Sequence, residues 1–153
     1  MSIATIGYRL NATTGIHRGD RAYQQDQVEI LTHDRVPGCL LAVLADGMGG
    51  HVAGAEAART ACRSFVETYT QMREAGDRLR QSLERSNAAI GTAVSLQPEL
   101  DGMGSTLLAA SFGEGGLSWV SVGDSPLYLF RDRHLYQLNQ DHSLAPVLDQ
   151  LAA

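Results

Sequence analysis

One carboxylate, Asp46, stands at the junction between an apolar run, Leu40-Leu41-Ala42-Val43-Leu44-Ala45, and a glycine-rich loop, Gly47-Met48-Gly49-Gly50. The run suits a buried strand, which would fix Asp46 in space. The bare backbone at Gly47, Gly49 and Gly50 would let an ion or ligand come close. A hard divalent cation takes such a carboxylate together with backbone carbonyl oxygens. A tight strand-to-helix turn with a capping aspartate has the same residue types, so both readings stay open at this point. No Lys-Ser/Thr pair follows the glycines, which excludes a Walker-type phosphate loop. No Ser/His/Asp or Cys/His set for nucleophilic catalysis stands out. His17, His33, His51 and His134 show no ligand spacing, and His142 reads as a packing or capping residue at a helix start.

The elements that would position this carboxylate follow from periodicity. Ile3 to Leu10 predicts a strand, and Asn11 to Asp20 a loop. Gln27 to Thr32 alternates like a half-buried strand and predicts a hairpin with the Leu40 strand through the turn at Asp34 to Gly38. Ala57, Ala61, Phe65, Tyr69 and Met72 form the apolar face of one helix; Leu79, Leu83, Asn87, Ile90 and Val94 form that of a second. Asp77 can cap the second helix, and Pro98 lies just past its end. A short break, Glu74 to Asp77, predicts antiparallel packing of the two. From Gly102 the period changes to two, predicting four short strands: Ser105 to Phe112, Leu117 to Val122, Ser125 to Phe130 and His134 to Leu138. Gly113 to Gly116 and Arg131 to Arg133 are the hairpin turns. A capped amphipathic helix is expected to begin at Asp141-His142-Ser143. Strands, then a helix pair, then a meander indicate an α+β layered domain rather than a parallel sheet.

Composition bounds the function. The 153 residues suffice for a single domain with a real core, and 44% hydrophobic with 19% charged residues is ordinary for a globular chain. A formal net charge of -5 leaves no basic footprint for nucleic acid. No run approaches about 18 consecutive apolar residues, and the amino terminus lacks a basic start before an apolar core, so neither a membrane span nor a signal peptide is expected. Cys39 and Cys62 read as buried thiols of a reducing, cytoplasmic environment rather than as a disulfide or metal pair.

Five ordered motifs carry a resemblance. Ala45-Asp46-Gly47-Met48-Gly49-Gly50-His51, with Gly54 and Glu56 beyond it, resembles the signature of the metal-dependent PP2C-type (PPM) protein serine/threonine phosphatases of the bacterial type. Arg21 through Asp26 is similar to that family's first motif, with Gln25 where glutamate is usual. Gly102-Met103-Gly104-Ser105-Thr106, Val122-Gly123-Asp124-Ser125 (with Pro126 in place of the usual arginine) and Asp141-His142-Ser143 match later motifs in order. The resemblance implies a layered α-β-β-α sandwich of antiparallel sheets with an antiparallel helix pair, truncated before its last strands.

It also implies site roles. Asp46 would bridge two divalent ions, Mn2+ or Mg2+, with the Gly47 carbonyl as a further ligand. Asp26 would act through metal-bound water, Asp124 would hold a third ion, and Arg21 would grip the substrate phosphate, whose oxygens match a guanidinium fork. The implied partners are a phosphoprotein substrate and a cognate serine/threonine kinase. Two later motifs of the family, Ser-Asp-Gly and Asp-Asn, are missing, so residues 1–153 are expected to form one incomplete domain. Such a chain should bind metal weakly and hydrolyse phosphate esters poorly. The alternatives are an inactive module that binds a phosphoprotein or kinase, and a half-domain that self-assembles as a homodimer or swapped assembly.

Overall fold

The computed structural model describes residues 2–5, 8–32, 38–72 and 77–142. The helix expected from Ser143 onward, the body of the turn at Asp34 to Pro37, and most of the break between the helices lie outside these residues.

Nine strands and two long helices are present among the described residues: β1 (Ser2–Thr5), β2 (Tyr8–Asn11), β3 (Asp26–Thr32), β4 (Leu40–Met48), α1 (His51–Gln71), α2 (Arg78–Leu96), β5 (Gly104–Ser105), β6 (Leu107–Gly113), β7 (Gly116–Val122), β8 (Tyr128–Arg131) and β9 (His134–Gln137). The architecture is α+β, with antiparallel sheets and an antiparallel helix pair, as the sequence predicts. The main sheet runs β3-β4-β6-β7, with the short β5 added to the far end of β4. β3 and β4 form the expected antiparallel pair, from Asp26 opposite Asp46 to Thr32 opposite Leu40.

Alternation along β4 explains the core. Leu41, Val43 and Ala45 point to one side and are fully buried, while Leu44 on the other side is exposed. Leu107 and Ala109 of β6 join them, and Ala58, Ala61, Cys62, Phe65 and Tyr69 of α1 close the core from above. The predicted apolar face of α1 is thus the buried one at Ala57, Ala61, Phe65 and Tyr69, while Met72 lies past the helix end in extended conformation and is only half-buried. Phe65 is wholly enclosed, and its truncation to alanine would cost about 3–5 kcal/mol.

Four sequence expectations need correction. The single strand expected over Ile3 to Leu10 is a hairpin: Ser2 pairs with Asn11 and Thr5 with Tyr8, so the segment satisfies its backbone groups against itself. The stripe expected on α2 is displaced. Its buried line is Arg78, Ser82 and Ser86, and Asn87 is exposed, while Leu79, Leu83 and Ile90 pack only partly against the core. Small serines let α2 approach the alanines of α1; Ser86 Oγ lies 3.0 Å from the Ala61 carbonyl and 2.8 Å from that of Ser82. Asp77 occupies the cap position of α2, but its carboxylate makes no cap bond. It pairs instead with the side chains of Arg80 and Gln81.

The expected meander also breaks in the middle. β6 and β7 pair through a two-residue turn, yet β8 and β9 form a separate two-stranded sheet. The break comes at Gly123, whose φ of +99° turns the chain where a Cβ would sit 2.6 Å from the Thr106 methyl group. Asn139 holds the outgoing segment: its Nδ2 donates to the Ser125 carbonyl at 2.9 Å, and its Oδ1 accepts from the Leu127 N–H at 2.7 Å. Asp132 and Arg133, both at positive φ, make the tight β8–β9 turn.

Candidate metal and phosphate site

The β3–β4 register decides what faces Asp46. Asp26 is the residue directly opposite, and side chains of directly opposed residues emerge on the same face. The two carboxyl groups are close enough to act on each other directly. Burial, then the charge and the hydrogen bond of Asp26, push the Asp46 carboxyl above its ordinary value; Asp124 adds a smaller push in the same direction, and the Arg21 guanidinium pulls it back down. Two carboxylates this close repel each other, and a cation placed between them would relieve that repulsion. Three of the residues singled out in the sequence, Arg21, Asp26 and Asp124, therefore lie within electrostatic reach of a fourth, Asp46, though the four are spread over more than a hundred positions of the chain.

The backbone around Asp46 is clamped. Its N–H donates to Thr106 Oγ1 at 3.0 Å, and its carbonyl accepts from the Thr106 N–H at 2.9 Å and from Ser105 Oγ at 3.1 Å. Thr106 Oγ1 lies 2.9 Å from Ser125 Oγ, so one buried hydroxyl ties the Asp46 strand to the residue following Asp124. The His142 N–H donates to the Gly123 carbonyl at 3.2 Å while its side chain is exposed, which gives His142 a backbone role in holding this turn.

Gly47 is where strand and helix come closest. Its N–H donates to the Gln25 carbonyl at 3.1 Å, and a Cβ built on it would lie 1.9 Å from the Gly54 carbonyl oxygen. Glycine at this position is thus a packing requirement of the β4–α1 approach. Gln25 braces the same loop: its Nε2 faces Gly54 and reaches the Gly49 carbonyl at 3.4 Å, a long contact. Gln24 Oε1 accepts from the N–H groups of Gln25 and Asp26, at 2.9 and 3.0 Å, and so shapes the segment that carries Asp26. Arg21, which is exposed, lines a cavity of about 360 Å³ with Tyr23, Gln25, Gly49 and Gly50. A phosphate ester entering that cavity would meet a guanidinium on one side and the Asp46 loop on the other.

Sequence reading missed Gln24 and Asn139 and the clamp made by Thr106. Thr106 carried a signal in its motif; Asn139 carried none, because its partners lie across a tertiary contact.

The donor set fits a divalent cation in kind. It consists of hard carboxylate oxygens that repel one another, a repulsion that a bound cation would relieve. Among the described residues, no three His, Cys, Asp or Glu side chains converge closely enough to form a metal cage by themselves.

Comparison with known proteins agrees with the geometry. The sequence profile of the protein phosphatase 2C family matches residues 15–145. The chain is 37% identical over 114 residues to the serine/threonine protein phosphatase PstP of Mycobacterium tuberculosis, covering 72% of this chain and 22% of that protein. It is 34% identical over 110 residues to the serine/threonine phosphatase stp of Listeria monocytogenes, covering 68% of this chain and 44% of that protein. The catalytic domain of PstP, solved in complex with two manganese ions, superposes with a TM-score of 0.73 at 33% identity, covering 86% of this chain and 55% of that one. The chain spans about half the length, or less, of these relatives. A profile match over most of the sequence, the shared fold and the convergence of Arg21, Asp26, Asp46 and Asp124 together place this chain in the protein phosphatase 2C family.

Proposed function

We propose that this chain serves the metal-dependent hydrolysis of phosphoserine and phosphothreonine in proteins. The observation that carries the reading is the directly opposed pair Asp26–Asp46 at the head of the glycine loop, with Arg21 and Asp124 in electrostatic reach of Asp46. Asp46 and Asp26 would hold Mn2+ or Mg2+, with Asp124 toward a third ion and the Gly47 carbonyl as an added donor. A pair of such ions, when bound, supplies Lewis acidity that activates water and neutralises phosphate. The chain's own residues do the rest. Arg21 binds and orients the phosphoryl oxygens with a planar pair of N–H donors. Asp26 would hold water at the metal through its carboxylate. Thr106 and Gly47 fix the backbone that carries the Asp46 carboxylate. The partners proposed are a phosphoprotein and the serine/threonine kinase that makes it. Two buried free thiols, Cys39 and Cys62, support a reducing, cytoplasmic setting.

A second reading has its own support. Because the described residues form no finished metal cage, the chain also fits a module that binds phosphoprotein without turnover. One experiment separates the two: hydrolysis of a phosphothreonine peptide in Mn2+, with Asp46→Asn and a chelator control alongside. Turnover that vanishes in both controls supports the phosphatase. Peptide binding with no turnover under any condition supports the module. Turnover that survives Asp46→Asn overturns the assignment of Asp46.

A further inference from the structure

At the other end of the main sheet lies a second polar cavity that the phosphatase reading does not use. Its volume is about 300 Å³, and its lining includes Arg78, Tyr69, Ser111, Cys39, Ser118 and Glu114. Cys39 precedes β4 and Asp46 lies near that strand's far end, so β4 separates the two regions by about 20 Å at the rise of an extended strand.

Arg78 is the anomaly. It is the first residue of α2, it is 5% exposed, and its Nε and Nη1 atoms are buried with no hydrogen-bond partner. The four ion pairs among the described residues all lie on the outer faces of α1 and α2, and none includes Arg78. One face of the guanidinium is covered by the Tyr69 ring, 4.9 Å from its centroid, which offsets part of the desolvation but leaves the N–H edges unsatisfied. The neighbouring hydroxyls do not supply a counter-charge. Tyr69 Oη lies 2.6 Å from Ser111 Oγ and 3.4 Å from Cys39 Sγ, and burial pushes its phenol up to about 12, so it stays neutral. Glu114, on the β6–β7 turn, is exposed and makes no ion pair with Arg78.

A buried guanidinium with unpaired donors is among the most costly arrangements a fold can hold. It becomes favourable when a ligand brings an anion with lone pairs to those donors. The N-terminus of α2 adds a partial positive charge of the same sense. We propose that this cavity is a binding site for a small oxyanion, a carboxylate or phosphoryl group of a low-molecular-weight ligand, held by Arg78 and flanked by the Tyr69 and Ser111 hydroxyls. The site stands apart from the Asp46 region and does not depend on the reading given for that region.

The test is a titration of the isotope-labelled chain by heteronuclear nuclear magnetic resonance. A chelator is present and the background is Arg21→Ala, so that neither metal nor the front guanidinium takes up the probe. The probes are inorganic phosphate and malonate, in separate arms. The expected result is a saturable shift of the Gly115 and Gly116 amides and of an arginine Nε–H with at least one probe; the arm that responds identifies the phosphoryl or carboxylate class. Arg78→Met should weaken binding about tenfold or more. Should that variant fail to fold, Ser118→Glu places a carboxylate on the rim and should abolish the response while leaving the fold intact. No saturable shift with either probe, or a response unchanged in Ser118→Glu, overturns the proposal. Binding that emerges only in Glu114→Gln would assign Arg78 to its neighbour Glu114 and would overturn it as well.

Discussion

Replacing Thr106 with valine removes one hydroxyl from the structure and nearly preserves the side chain's shape. That hydroxyl is buried and has two partners, the Asp46 N–H at 3.0 Å and Ser125 Oγ at 2.9 Å. An N–H left without an acceptor costs about 1–3 kcal/mol, and the lost contact to Ser125, which can turn to other partners, adds up to about 1 kcal/mol. The expected loss is therefore about 1–4 kcal/mol of folding stability. Thr106→Ser is the control. It keeps the hydroxyl and deletes the methyl group that packs under Gly123, which should cost only about 1 kcal/mol. Urea unfolding followed by circular dichroism and by Trp119 fluorescence measures both. The order wild type, then serine, then valine is what the hydroxyl clamp requires. A valine variant as stable as wild type, or a serine variant less stable than valine, would refute the idea that this hydroxyl holds the Asp46 strand to the Asp124 turn.

Further outcomes can be checked on the same chain. Gly47→Ala must part β4 from α1, because its Cβ would lie 1.9 Å from one backbone oxygen and 2.9 Å from another; a loss of about 3 kcal/mol or more is expected, while Gly50→Ala, with nothing within 4 Å, should stay within about 0.5 kcal/mol of wild type in the same urea assay. Arg21→Ala should raise the KM for a phosphopeptide about tenfold or more while leaving Mn2+ affinity within a factor of about two, as steady-state kinetics and calorimetry would show. Burial, aided by Glu29, pushes the Cys62 thiol up to about 12, above its ordinary 9.0. A raised acid of this kind contributes stability that is complete below about pH 9 and is lost as pH climbs toward 12. Native Cys62 should resist iodoacetamide near neutral pH, and Cys62→Ala should flatten the alkaline fall in urea midpoint.

The sequence made Asp46 legible because an apolar run and a glycine loop bracket it, and both features are local. It made α1 legible for the same reason: Ala57, Ala61, Phe65 and Tyr69 recur at helical spacing and are all buried. The opposition of Asp26 and Asp46 was not legible, because register depends on how β3 and β4 are joined and a slip of one residue would turn Asp26 to the other face. The α2 seam misled the periodic reading, since Ser82 and Ser86 are buried for their small size and Leu83 only flanks them. Gln24 and Asn139 act through particular hydrogen bonds, of which composition and spacing keep no trace, while Thr106 stood in a recognisable motif that did not disclose its bond to Asp46. Family resemblance supplied the roles of Arg21 and Asp124, which alone read as an exposed ion-pair residue and a turn aspartate.

The central claim is that the Asp26–Asp46 pair is a site for divalent metal. The most direct measurement is calorimetric titration of the chain with Mn2+, wild type beside Asp46→Asn, in two buffers of different protonation enthalpy. Binding should be weak for the second ion, because Asp46 and Asp26 supply too little negative charge to hold two divalent cations against their repulsion. Because the Asp46 carboxyl is held above its ordinary value, the first ion should bind less tightly and with more proton release as pH falls, and Asp46→Asn should abolish the binding. Mn2+ bound equally well by Asp46→Asn would overturn the assignment.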